Sequence, residues 1–121
     1  APLRVLPAIA EQAGSGMTVM LDGGIRRGTD VIKALALGAQ AVFVGRPFNY
    51  AAAVDGEAGV AAAIGLLRAE VARNLAMLGV TSCADLGPEH LMDRRAPWRT
   101  AAHASRRVPD QAGEQSAISA V

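Results

Sequence analysis

A chain of 121 residues that is 51% hydrophobic but only 3% aromatic holds enough apolar material for one domain, its core filled by alanine and leucine. A formal net charge of +1 excludes a dedicated nucleic-acid binder, whose affinity rests on a basic surface. Cys83 is the single cysteine, which excludes an intrachain disulfide and argues against a cysteine-based metal site, so no metal ligands are expected.

Leu3 to Ala13 reads as a short helix, with Val5, Leu6, Ile9 and Ala10 on one face and Pro7 within its first turn. Gly14-Ser15-Gly16 is a turn, and Met17 to Leu21 is a buried strand. Asp22 to Gly28 forms a loop. Thr29 to Leu37 is the next helix, capped by Gly28 or Thr29, with Asp30 at its positive end and Val31, Ile32 and Leu35 toward the sheet. Gly38 ends it, and Ala41 to Val44 is a second buried strand. Strand, helix and strand at this spacing make a βαβ unit with parallel strands and a right-handed crossover.

Pro47 to Val54 reads as a short helical turn. Asp55-Gly56-Glu57 opens the longest helix, which runs to Leu78. Val60, Ile64, Leu67, Val71, Leu75 and Leu78 form a stripe at helical period that reads as core, with Arg68, Glu70 and Arg73 off it. The longest apolar run, Ala58 to Leu67, is about half the ~20 residues a membrane span needs. Ser82 to Leu86 is a capped turn with Asp85 in the capping-box position, and Glu89 to Met92 is a further turn. The unit ends near residue 92. Residues 93–121 form a polar tail, expected to be disordered from about Thr100, with Trp98 as a packing anchor. Two strands alone do not make a stable sheet, so the chain reads as a piece of a larger α/β fold. The start at Ala1, without a signal-like leader, fits processing or excision from something longer.

Both strands end in glycine and arginine, and the two turns read as halves of one phosphate site. Gly23 and Gly24 let a ligand approach the backbone, and the N–H groups from Gly23 through Arg26 can converge on an anion. The helix starting at Thr29 adds its positive end. Arg26 can grip two phosphate oxygens through its planar fork, and Gly45 and Arg46 repeat the offer. Asp22 can accept from ligand hydroxyls or hold the loop. Arg27 reads as a surface or helix-dipole partner, Lys33 as solvated and Cys83 as a partly buried filler. His90 and His103 are not read as catalytic.

Leu21 to Ala39, then Val44-Gly45-Arg46-Pro47, then Gly56-Glu57-Ala58-Gly59-Val60 resemble the FMN-dependent 2-hydroxy acid dehydrogenases and oxidases, a family that includes L-lactate dehydrogenase, glycolate oxidase and mandelate dehydrogenase. The first stretch is also similar to inosine monophosphate dehydrogenase, glutamate synthase and the flavin-dependent isopentenyl diphosphate isomerase. Gly45-Arg46-Pro47 and the run from Gly56 to Val60 favour the hydroxy acid family. The resemblance implies an α/β fold in which residues 1–92 are the C-terminal two βα units of a TIM (β/α)8 barrel, a place where such barrels hold phosphate. It implies FMN as cofactor, held by Asp22, Gly23, Gly24, Ile25 and Arg26 and by Gly45 and Arg46. It implies a small 2-hydroxy acid, lactate-like, as substrate, oxidised to a 2-oxo acid. The family's catalytic histidine lies in a Ser-Asn-His-Gly-Gly-Arg-Gln-like segment that belongs just before Ala1, so this chain holds no catalytic residue of its own. The partners expected are the remaining barrel segments or another copy, with the full protein a homo-oligomer. Its location is expected to be cytoplasmic, or peripheral to the inner membrane. The alternatives are a barrel like inosine monophosphate dehydrogenase or isopentenyl diphosphate isomerase, and a non-catalytic phosphate-binding module.

Overall fold

The computed structural model describes residues 2–92. The expectations for Trp98, His103 and the polar tail lie outside the described residues. The order is α1 (Pro2–Ala13), β1 (Met20–Asp22), α2 (Gly28–Ala36), β2 (Ala41–Phe43) and α3 (Arg46–Leu78), followed by short 3-10 turns at Cys83–Asp85 and Pro88–His90.

The strands are parallel, with Met20, Leu21 and Asp22 opposite Ala41, Val42 and Phe43. Both are shorter than the sequence suggests, and β1 starts three residues later and includes Asp22. The late start of β1 has a side-chain cause. Val19 donates its N–H to Gln40 Oε1 at 2.9 Å and accepts from the Gln40 N–H at 2.8 Å, so Gln40 pairs with Val19 before the ladder starts. Helix α2 connects the strands as the βαβ reading requires. It ends in a Schellman motif: Ala39 N–H reaches Ala34 O and Gly38 N–H reaches Leu35 O, both at 3.0 Å.

Leu6, Val19, Leu21, Ile25, Val31, Ala34 and Ala39 form one buried cluster between α1, β1 and α2. Helix α1 runs through Pro7 instead of starting near it. The proline is exposed, in the second turn of the helix, and leaves the Leu3 carbonyl without its helical donor. Of the face expected to be buried, Leu6 is, whereas Val5 and Ile9 are more than half exposed.

Helix α3 has two arms. Asp55 and Gly56 leave helical geometry (φ −150°, ψ 34° and φ 52°, ψ −133°), so the break falls where Asp55-Gly56-Glu57 was expected to open the long helix. The apolar stripe is a correction. No residue of α3 is buried; Leu67 and Val71 rest half-buried on the cluster, and Ile64 is 42% exposed. A two-stranded sheet is too narrow to cover a helix this long, and parallel sheets call for cover on both faces. By length and composition alone α3 could cross a membrane, but its first arm is bent away at Asp55-Gly56 and its second packs on α2. Near the end, Ser82 Oγ accepts from Ala84 N–H at 3.1 Å, which is the cap observed there. Cys83 is exposed and does not fill a core, because the turn that carries it contributes no buried residue.

Candidate functional site at the strand ends

β1 and β2 finish side by side at Asp22 and Phe43, so the chain segments leaving them open on the same edge of the sheet. A cavity of about 540 Å³ lies there. Asp22, Gly23, Gly24, Ile25, Arg26, Gly45 and Arg46, singled out in the sequence, all line it. Phe43, Pro47, Asn49 and Tyr50 line it as well and were not anticipated. Phe43 could have been found as the residue opposite Asp22. The other three belong to the first turn and a half of α3, which starts at Arg46.

Gly23 and Gly24 both have positive φ, +97° and +86°, which an L side chain rarely adopts. An added Cβ at Gly24 or Gly45 would meet no atom within 4 Å, so the backbone there is open to a ligand. Ile25 behaves differently: its side chain is buried in the core cluster, so it anchors the loop and offers the cavity its backbone.

The donors are arranged otherwise than expected. Asp30 Oδ2 accepts the N–H groups of Arg26 at 3.1 Å and Arg27 at 3.2 Å. Glu70 Oε2 accepts the Gly28 N–H at 2.7 Å. Arg27, not Gly28 or Thr29, is the N-cap of α2. The Gly28 N–H at that helix end and the Arg26 and Arg27 N–H groups before it are thus already answered by two carboxylates, so the Arg26 N–H is not open to an anion. The helix end that faces the cavity belongs to α3. Its N-cap is Gly45, which brings no side chain to cap it, and Pro47 follows at a position where a missing N–H costs nothing.

Arg26 and Arg46 are exposed on the cavity and form no ion pair with any described residue. Arg27 is the opposite case. Its Nε donates to Glu70 Oε1 at 2.8 Å, and its Nη2 lies 2.6 Å from the same oxygen. This hydrogen bond, with the charge attraction behind it, raises the Arg27 pKa. The same bond, followed by that from Gly28 N–H, lowers that of Glu70. Arg27 is therefore the partner of a neighbouring helix. Lys33 is exposed, as read. His90 Nδ1 lies 3.1 Å from the Gly87 nitrogen, within its own turn and away from the cavity. Among the described residues no three His, Cys, Asp or Glu side chains gather as a metal site would need.

Residues 1–93 match the family model described as FMN-dependent dehydrogenase. Glycolate oxidase 3 of Oryza sativa subsp. indica is 47% identical over 92 residues, which are 76% of this chain and 25% of that protein. L-lactate oxidase of Nostoc sp. is 47% identical over 91 residues, 75% of this chain and 25% of that one. Among solved structures, the monotopic membrane protein (S)-mandelate dehydrogenase superposes with a TM-score of 0.72 at 41% identity, over 76% of this chain and 24% of that one. The chain thus spans about a quarter of the length of the relatives it matches. FMN is the cofactor of this family of oxidoreductases. On the family match and these identities, the chain belongs to the FMN-dependent 2-hydroxy acid dehydrogenases and oxidases.

Proposed function

We propose that this chain is the part of an FMN-dependent 2-hydroxy acid oxidoreductase that anchors the cofactor's phosphate, forming the last two βα units of a (β/α)8 barrel. The observation that carries this reading is that Arg26 and Arg46, neither in an ion pair among the described residues, meet on one cavity floored by glycine backbone. The residues fit the group. Two cations suit a phosphate dianion, and Gly24 and Gly45 leave open space where a side chain would stand. In barrels of this kind phosphate is commonly held by the loops after the last two strands and a helix N-terminus, which matches Gly23-Gly24-Ile25, Gly45 and the start of α3.

When bound, FMN supplies a two-electron acceptor for the oxidation of a lactate-like 2-hydroxy acid to a 2-oxo acid. The residues of this chain hold it in place. Arg26 and Arg46 neutralise the phosphate, while Gly23, Gly24 and Gly45 let the backbone approach it. Ile25 pins the loop to the core. Asp22, at the end of β1, accepts from ligand hydroxyls or holds the loop. Among the described residues on the cavity Asp22 is the only carboxylate and there is no histidine, so the described part of the cavity serves the cofactor and proton abstraction is assigned elsewhere in the complete protein. The remaining barrel segments, or another copy, would cover the exposed face of α3 and the free strand edges. The complete protein would be a homo-oligomer acting in the cytoplasm. Its likeness to a monotopic membrane enzyme favours a membrane-peripheral position as the second reading.

The test is Arg26→Ala in the complete protein. Losing charge-assisted hydrogen bonds worth about 1.5–3 kcal/mol should weaken FMN binding about 10- to 100-fold. The KM for the hydroxy acid, measured with FMN saturating, should move by less than about twofold. Equal FMN occupancy in variant and parent would overturn the reading.

A further inference from the structure

Two arginines stand side by side after β1, and they are used in opposite ways. Arg26 lines the cavity as a cation without an ion-pair partner among the described residues. Arg27 turns to Glu70, whose carboxylate takes the guanidinium with one oxygen and the Gly28 N–H with the other. Gly28 explains how the helices come so close. A Cβ there would stand 2.6 Å from Glu70 Cβ and 2.7 Å from the Val71 nitrogen, so the start of α2 rests directly on the backbone of α3. From the other side Asp30 takes the N–H groups of Arg26 and Arg27. Three consecutive backbone donors, 26 to 28, therefore end on carboxylates.

Close packing at Gly28 does not extend to Arg26. Arg26 borders a second cavity, of about 400 Å³, lined also by Val44, Phe48, Leu66 and Glu70. The turn is hydrogen-bonded into position across an open space, and the bonds from outside it come from a residue 43 positions away in sequence.

Resting on the phosphate reading above, we infer that Glu70 is a positioning residue for the cofactor phosphate. It clamps Arg27 and the Gly28 N–H, and so fixes the backbone from which Arg26 reaches the anion. Arg27 has a matching role. Two of its guanidinium nitrogens lie on Glu70 Oε1, so the carboxylate beside Arg26 carries its own counter-charge.

The experiment is a double-mutant cycle in the complete holoenzyme, read by FMN dissociation constant and by hydrogen exchange of amides 26 to 28. Glu70→Ala should weaken FMN binding about tenfold when Arg26 is present, and less than about twofold in the Arg26→Ala background. Glu70→Gln, whose amide oxygen can still accept from Gly28 N–H, should lose less than Glu70→Ala. It also serves if Glu70→Ala fails to fold. Amide 28 should exchange faster in Glu70→Ala, and less so in Glu70→Gln, while the interior of α2 does not change. Equal losses in both backgrounds would mark a general loosening and overturn the inference alone, as would unchanged exchange at Gly28. FMN affinity indifferent to Arg26→Ala itself would overturn the phosphate reading and this inference with it.

Discussion

The two glycine-arginine turns look like copies of each other in sequence, and the structure builds them on different principles. After β1 the loop is a backbone device. Gly23 and Gly24 take positive φ, Ile25 is sunk in the core, and Asp30 and Glu70 consume the donors at the start of α2. After β2 there is almost no loop: Gly45 passes directly into α3, whose N-terminal end carries no side-chain cap. One turn therefore offers an anion its peptide groups and Arg26, the other a helix end and Arg46. A dipeptide motif marks where an anion can sit. Which donors remain available depends on the carboxylates that the fold brings to the neighbouring helix start.

The widest break in this comparison removes both cations. Arg26→Ala with Arg46→Ala should cost FMN affinity more than either single variant, up to about 3–6 kcal/mol, and short of the full sum because both cations hold the same phosphate. FMN titration of the single and double variants measures this. A double variant no worse than one single variant would mean that the two turns serve different ligands.

A smaller effect separates structure from ligand contact. Gly28→Ala pushes a methyl group into the backbone of α3 and should lower stability by about 1–3 kcal/mol, read as the urea midpoint of the complete protein. Gly45→Ala meets no neighbour, and its φ of −98° suits alanine. It should change stability by less than about 0.5 kcal/mol while still weakening FMN binding. If Gly45→Ala destabilised as much as Gly28→Ala, the second turn would be as tightly packed as the first.

Much of this was legible beforehand because the signals are local. The βαβ unit follows from apolar runs, a capped helix and Gly38 within about 25 residues, and its parallel register brings the two turns together without further information. The break in α3 was announced by Asp55-Gly56. What failed depended on distant partners. Nothing near Arg27 in the sequence shows that Glu70 will claim it, so α2's start looked open to an anion when it was already capped. The period of the α3 stripe correctly marks one face, but burial depends on how wide the sheet beneath it is, and two strands leave Ile64 and Leu78 exposed. Pro7 misled for a related reason. The rule against proline inside a helix is energetic and not absolute, and α1 runs on through an exposed Pro7 in its second turn.

The smallest effect concerns acid. Glu70 has a folded pKa below its ordinary value of about 4.3, first because of Arg27 and then because of the Gly28 N–H, with Arg73 adding attraction. A group with a depressed folded pKa contributes stability that is complete above the unfolded value and fades as pH falls through the folded one. Arg27 is raised and stays charged throughout the usable range, and Asp30 faces it from within α2, so Glu70 sets the titration of this contact. The clamp should therefore be indifferent to pH between about 6 and 9 and weaken only below about pH 4. Comparing the parent with Glu70→Gln by urea midpoint isolates the term, since the variant lacks the titrating group. The gap between them should narrow as the solution is acidified. Because Arg27 is well exposed and solvent screens the pair, the narrowing should be small. The turn after β2 has no such pair among the described residues, so a Gly45→Ala variant should follow the parent's acid profile point for point.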